Sequence, residues 1–425
     1  MIVMGYGDER RSGAYPVAGP SGPGRVDWVA RTSAPVLCPP VLAAGVLVVA
    51  DMVGTVYVFD AGTGELRWRV PEEDDPGLVV RDEDGEWPDP ITMAVAVWRD
   101  RVFVAEADSD QFEHYEDSDS EVRVHDLATG ERIGTVPGGG YPAVVGDTLL
   151  LYGLNDGVRA FELPGLGPLW HAKDAEGRVQ TVPAVGPDGA LYLPGGFEGN
   201  KTHGGVMRLD PLTGEVAEFD EDQGEDEDEG EDAEYEGWDV TKAVHAVAAE
   251  GLVWLPADRL RFGEDPPFDG AITGRDPRTG EVRWIHRMPK TPAGAVAVVD
   301  GTVFAAVNGP GDGGHGEPSF AKAVTAIGIT DRVVRWTRPL PDTGAGTPVI
   351  ADGFVYMAVR DGRVLALDAG SGDVRWEVDL GERILDKEEM GYFDVECAFE
   401  EDGQVIIPAN GVLYVRTRAG IIAVR

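Results

Sequence analysis

Lysine and cysteine are scarce in this chain, and long apolar runs are missing altogether. Only six lysines and two cysteines occur among 425 residues. Lys and Arg together number 36 against 76 Asp and Glu, for a formal charge of −40. Binding to a phosphate backbone needs a basic face, so nucleic acid is excluded as the expected partner and a cationic protein, peptide or metal ion fits the field better. Cys38 and Cys397 belong to no CxxC or CxxCH pattern, which removes Cys-based zinc sites and attached c-type haem. No stretch approaches the length of a membrane helix, and residues 1–11 carry no apolar core behind a basic segment, so the expected compartment is the cytoplasm, with no membrane partner. GxSxG, HExxH, Walker and strand–helix GxGxxG patterns are absent as well, and no motif names a reaction.

What is plentiful is glycine, at 58, and proline, at 30, a composition suited to many short strands joined by turns. One frame, Asp-x-x-Ser/Thr-Gly-x-x-x-Trp, recurs seven times. It is intact at 60–68, 276–284 and 368–376. The copy at 126–134 keeps the turn but ends on Gly134, and the copy at 162–170 opens on Glu162 and closes on Trp170. At 210–218 the aromatic, Phe219, comes one place late, and at 328–336 only the strand and Trp336 survive. Two alternating segments precede each turn, as in Thr347-Pro-Val-Ile-Ala-Asp-Gly and Phe354-Val-Tyr-Met-Ala-Val, so each unit reads as four antiparallel strands A to D. The C-terminus supplies strands A, B and C around 405–424 with no D. An orphan D strand, Val26-Asp-Trp-Val-Ala, stands near the N-terminus. Joined, they make an eighth unit and close a ring, which removes the exposed edges of an open sheet. The predicted architecture is a single all-β, eight-bladed β-propeller over residues 25–425, with an N-terminal extension at 1–24 and an acidic insertion at about 218–239.

Trp28, Trp68, Trp170, Trp284, Trp336 and Trp376 fall at one place in strand D, and the expectation is a structural one: each docks its blade on the neighbour's outer turn. This Trp-docking repeat resembles the PQQ-like, or quinoprotein-like, propeller family from Trp28 onward. The resemblance implies an eight-bladed fold and two functional classes: PQQ- and calcium-dependent dehydrogenases, and non-enzymatic assembly or sensor propellers. The dehydrogenases characteristically carry an adjacent cysteine pair near the cofactor. This chain has none, so neither PQQ nor calcium is expected.

Strand parity assigns the connections to two faces. A–B and C–D turns share one face and are tight, as at Ala351-Asp-Gly and the Thr-Gly turns. B–C and D–A links share the other and hold the long insertions: 108–119, 195–203, 259–268 and 308–320 among the first, 71–89, 218–239 and 381–396 among the second. Loops on a rigid scaffold are where binding residues concentrate. Candidate ligand- or partner-binding residues are therefore Trp87, Phe112, His114, Tyr115, His203, Trp238, His315, Phe320 and Tyr392, with no metal site assigned. The three histidines come from blades 2, 4 and 6, too far apart around the ring for a shared site to be expected. Residues 218–239 contain 14 carboxylates and no base, a charge density that favours a solvated tether, leaving −26 for the rest of the chain. Closure brings Cys38 and Cys397 into one region, where free thiols are expected rather than a disulfide. The expected function is a non-catalytic binding scaffold that takes a protein, peptide or small molecule on its acidic loop face. The alternative is an enzyme at the channel mouth, either a degenerate quinoprotein or a cofactor-free lyase or cyclase.

Overall fold

The computed structural model describes residues 2–3, 8, 10–20, 22–36, 39–51, 54–70, 95–105, 121–138, 141–153, 157–173, 183–194, 197–198, 201–202, 206–219, 237–240, 246–260, 270–288, 292, 294–308, 321–384 and 404–425. They form an all-β, eight-bladed propeller of antiparallel blades, with strands A to D running from the innermost outward. Blade 1 is Val41–Ala43, Val46–Ala50, Val56–Asp60 and Leu66–Val70. Blades 2 to 5 begin at Val95–Trp98, Tyr141–Val145, Ala184–Val185 and Val247–Ala249. Blade 6 begins at Ala297–Val299, and its strand D continues without a loop into strand A of blade 7 as Val334–Ala351. Blade 8 takes strands A to C from Ile406–Ala409, Val412–Thr417 and Gly420–Val424, and strand D from Val26–Arg31, with Val29 opposite Ile422. The ring is closed by the two ends of the chain.

Burial follows position in the blade. All five residues of Val46–Ala50 are buried, because an inner strand is covered by both neighbouring blades. Leu66–Val70, the outer strand of the same blade, has no fully buried residue. Blades diverge as they leave the axis, so the rim needs a separate device to hold neighbours together.

That device is built on the C–D turn. In blade 1, Asp60 Oδ1 accepts the Gly62 and Thr63 N–H groups at 2.9 and 3.1 Å, and the Gly64 N–H returns to the Asp60 carbonyl at 2.8 Å. Gly64 has φ +73°, and a Cβ there would lie 2.6 Å from the Trp28 ring of blade 8, so turn geometry and packing both demand glycine. Arg67, the residue before the tryptophan, reaches back to Asp60 at 2.6 Å, and Arg375 does the same to Asp368. These exposed pairs add little to stability, though they hold the Asp carboxylates below the usual range. A bulge between Val58 and Phe59 then aims Trp68 at blade 2, and matching bulges recur in blades 2, 3, 5, 6 and 7.

Four of the six docking tryptophans donate their indole N–H across a seam, while the Trp28 and Trp376 indoles dock by packing alone. Trp68 Nε1 meets the Leu127 carbonyl at 2.9 Å, Trp170 that of Pro211 at 2.9 Å, Trp284 that of Ile329 at 2.8 Å and Trp336 that of Ala369 at 3.0 Å. The receiving residue is the one after the turn-opening position. At Leu127, Ile329 and Ala369 its own N–H bonds the A–B turn of its blade, at 2.8 to 2.9 Å, so one residue ties the peg to two turns.

Where the motif is eroded, other groups complete the seam. Gly134 of blade 2 leaves the peg's place open, and the facing turn of blade 3 carries Leu166 at φ +60° in place of glycine, packed beside the cluster that holds Val136 and Leu163. Blade 4 lacks the bulge: Arg208 pairs with Ala217, and its strand D, Val216–Phe219, contains no tryptophan. Its Tyr192 hydroxyl, from strand B, instead lies 2.8 Å from Pro277 O and 3.0 Å from Asp188 Oδ2, and Arg208 donates to the same carboxylate oxygen. At the closing seam Tyr414 donates to the Ala61 carbonyl at 3.1 Å, and Trp28 packs on Tyr414 at 5.8 Å between centroids. In blade 6 the sequence shows only strand and tryptophan, yet the full turn is present: the Arg332 N–H bonds Gly328 O at 2.9 Å, with Arg332 at φ +58°.

Trp284 is 3% exposed and stacks edge-on against Trp254 at 5.0 Å. Trp284→Ala should cost roughly 3–5 kcal/mol in urea unfolding, and Trp284→Phe about 1 kcal/mol beyond any repacking, for the lost bond to Ile329. An alanine variant as stable as the parent would show that the seam does not depend on this contact.

Candidate binding face and central channel

Strand A of each blade has one edge bonded to strand B and the other turned to the channel, where its N–H and C=O groups need partners. The segment preceding the closing strand supplies several of them. Ile2–Val3 pairs antiparallel with strand A of blade 1, Ile2 opposite Ala43 and Val3 opposite Leu42. Ala14–Tyr15 pairs parallel with strand A of blade 7, Ala14 opposite Ile350 and Tyr15 opposite Ala351. The carbonyls of Arg10, Ser12, Gly13 and Ala18 accept N–H groups from Ala248, Val298, Ile350 and Gly411, at 2.8, 2.8, 2.9 and 2.8 Å. These donors belong to blades 5, 6, 7 and 8. Side chains extend the contact: Arg11 Nε donates to Pro183 O at the entry to blade 4 at 3.4 Å, and Tyr15 donates to Gln404 Oε1 at the entry to blade 8 at 2.6 Å. Arg11, Ser12 and Tyr15 are buried despite lying near the chain's start.

Parallel pairing with strand A means that residues 10–18 run from the loop face toward the plain face. At the loop-face end Asp8 Oδ1 gathers the Arg10 N–H, the Ser12 N–H and the Ser12 hydroxyl at 3.1, 3.2 and 3.2 Å. At the plain-face end the chain turns outward across blades 7 and 8. A Cβ at Gly19 would overlap the Tyr356 hydroxyl, and one at Gly24 would lie 2.7 Å from Trp376. Gly24 therefore covers Trp376 as Gly64 covers Trp28, standing in for a C–D turn that blade 8, built from the two chain ends, does not have. Arg25 and Arg425 then exchange backbone bonds at 2.9 and 3.0 Å, and the closing strand begins.

The described part of the loop face carries one buried acidic cluster, at the seam of blades 8 and 1. Asp51 follows strand B of blade 1 and is 1% exposed. Its Oδ2 accepts the Tyr57 hydroxyl at 2.9 Å, the Ser33 hydroxyl at 3.0 Å and the Ala34 N–H at 3.2 Å, and its Oδ1 accepts the Thr55 N–H at 2.9 Å. Ser33 Oγ and Tyr57 Oη lie 2.6 Å apart. Burial raises the Asp51 carboxyl above 3.8 although four donors oppose it, and burial beside that carboxylate raises the Tyr57 phenol. The cluster fixes the D–A link of the closing seam to the B–C link of blade 1. Nearby, Arg416 donates to Val36 O at 3.1 Å, and Arg31 and Thr417 both donate to Glu382.

The sequence candidates Trp87, Phe112, His114, Tyr115, His203, His315, Phe320 and Tyr392 lie outside the described residues, as do Cys38 and Cys397. Trp238 falls in a strand, Gly237–Val240, that pairs with Leu252–Leu260 of blade 5. The other end of the acidic insertion is also a strand, Val216–Phe219, so strands reach into the 218–239 insertion from both sides. Phe197–Glu198 and Lys201–Thr202 make a small hairpin within the 195–203 insertion. Sequence reasoning missed Asp51 and strand-C Tyr57 of blade 1 and Ser33 of the link after the closing strand. It also missed Arg11, Tyr15 and Gln404. The tight Ser12-Gly13-Ala14 run was the available signal for a segment packed against backbone.

A family model described as outer membrane protein assembly factor BamB matches residues 21–86, 54–261, 118–310, 268–386 and 321–424. Among solved structures, BamB from Moraxella catarrhalis is similar at 13% identity and TM-score 0.56, covering 94% of this chain and 97% of that one. The quinohemoprotein alcohol dehydrogenase ADHIIG from Pseudomonas putida HK5 is similar at 15% identity and TM-score 0.61, covering 99% and 80%. A europium-containing methanol dehydrogenase is similar at 13% identity and TM-score 0.62, covering 99% and 97%. Comparison with curated protein sequences gives no match.

Because its pKa is raised on folding, Asp51 holds its proton more tightly in the folded protein than in the unfolded chain. Its contribution therefore favours folding in acid and is lost as pH rises from 3.8 through the folded value. Asp51→Asn should destabilise the protein, since an amide NH2 would face donors. The parent's advantage over it should shrink as urea unfolding is repeated from about pH 4 to about pH 7. An advantage that grows with pH would mean the four donors outweigh burial.

Proposed function

Because the chain belongs to the PQQ-like β-propeller repeat family, whose fold serves catalytic and non-catalytic proteins alike, we propose from its two faces that it is a non-catalytic scaffold whose loop face captures a cationic protein or peptide. One observation carries this reading: the segregation of connections. On the plain face, strands C and D of blades 1, 2 and 7 are joined by five-residue links, and their turns are engaged in seams. On the other face, strand D of blade 1 and strand A of blade 2 are separated by 71–94, strands B and C of blade 2 by 106–120, and strand D of blade 4 and the next strand by 220–236. These links are rich in Asp and Glu, and 220–236 has no basic residue at all. A rigid ring with long acidic links on one side speeds encounter with positively charged partners and leaves specificity to apolar anchors among the loops.

The same geometry supports a reading without a quinone. The resemblance attaches cofactor binding to an adjacent cysteine pair, whereas Cys38 and Cys397 are far apart in the chain. The inner edges of blades 5 to 7 and the A–B turn of blade 8 are already bonded to residues 10–18.

Co-purification with mass spectrometry identifies what the loop face retains, and stopped-flow association then tests the mechanism. Raising the salt from about 0.05 M to about 0.5 M should slow association at least tenfold. Deleting 220–236 should slow it further at low salt and leave the melting temperature in place. Association indifferent to salt and to the deletion would contradict a charge-driven face.

A further inference from the structure

The contact between residues 10–19 and the channel has the form of a peptide complex in which both partners happen to be one chain. Its bonds are main-chain carbonyls meeting N–H groups on the strand-A edges of blades 5 to 7 and on the A–B turn of blade 8, with Ala14–Tyr15 paired along blade 7 as an extended peptide adds to an exposed sheet edge. Two features make it selective. Gly13 lies so close to Ala297 that a Cβ would fall 2.6 Å from that methyl, and Gly19 passes directly over the Tyr356 hydroxyl. Arg11 is 5% exposed at the loop-face end, and it follows Arg10 in a chain of charge −40. The only covalent tie on the plain-face side is the short run 20–25 leading into the closing strand.

We infer that the inner edges of blades 5 to 7, with the A–B turn of blade 8, are a peptide-binding site, held in cis by residues 10–20. In trans it takes an extended segment of another protein, with an arginine at its loop-face end and glycine at the two positions facing Ala297 and Tyr356. A short tether gives the resident segment an effective concentration on the order of millimolar, so an incoming peptide gains the site only when the resident one is released or out-competed. This site differs from the loop face: it recognises main chain and small residues along the axis, and long-range charge is secondary to it.

Gly22 offers the means of testing it in the full chain, since a Cβ there meets nothing within 4 Å. A protease site inserted after Gly22 lets the protein fold intact and then be nicked. The probe is a fluorescein-labelled synthetic peptide spanning residues 8–20, followed by anisotropy. The intact protein should leave it free, and the nicked protein should take up one peptide per chain. The Gly13→Val and Gly19→Val peptides, and a scrambled peptide of the same composition, should bind at least about thirtyfold more weakly. No uptake after nicking, or equal uptake of the valine peptides, overturns the proposal. So does a concentration-dependent dimer of the intact protein that disappears in full-chain Gly13→Val, because it would assign the site to a second copy of this chain. A folding defect in the inserted protein is bypassed with full-chain Gly13→Val, which should bind the unmodified peptide without nicking; failure of that binding also overturns the proposal.

Discussion

Ring closure is the constraint on which the rest of the structure depends. One of the eight blades is assembled from two distant parts of the chain, Val26–Arg31 bonding along Gly420–Val424 to seal the ring. This choice fixes strand parity in every other blade. Parity in turn sends all C–D turns to one face and all B–C and D–A links to the other. It also dictates where the chain's first residues must pass. To reach the outer strand of blade 8 from the axis, they cross the plain face under Tyr356 and Trp376, and what precedes them is left in the channel.

One segment thus meets three needs. Residues 10–18 satisfy strand-A donors of blades 5 to 7 and an A–B turn donor of blade 8 that would otherwise face the channel. Gly24 caps a tryptophan that has no neighbouring turn, and residues 26–31 complete the sheet. The seams follow a similar economy of parts. A tryptophan against a glycine turn is the usual solution; with Gly134 opposite Leu166 the apolar side chain comes from the turn instead of strand D, and Tyr192 and Tyr414 supply hydroxyls to turn carbonyls in place of an indole N–H.

The repeat, the blade count and the closing strand were legible in the sequence because they rest on side-chain patterns: a turn needing positive φ, an aromatic at fixed spacing, alternating apolar strands. The turn at 328–332 was not, since Arg332 occupies the left-handed region that glycine usually marks, and its turn is held by backbone bonds. The missing bulge of blade 4 was hidden for a related reason: Asp210 and Thr213 keep the turn signature, and only the register of Arg208 with Ala217 reveals the change. The channel segment was invisible because main-chain bonds to strand edges impose little on residue type beyond small size at Gly13 and Gly19. The Asp51 cluster joins Asp51 and strand-C Tyr57 of blade 1 to Ser33 of the link after the closing strand, which only closure brings to them. Of the loop-face candidates, the structure places only Trp238, on a strand extending blade 5.

The chain's own residues 10–18 thus cover the channel side of blades 5 to 7 and the A–B turn of blade 8, and this cover is the structure's most exacting feature. Amide hydrogen exchange on the full-length protein tests it most directly. The N–H groups of Ala248, Val298, Ile350 and Gly411 should be protected to the level of the central strands, because carbonyls of residues 10–18 cover them. Rapid exchange at these four amides, with the neighbouring B strands still protected, would mean that the channel is open and that its inner edges face water.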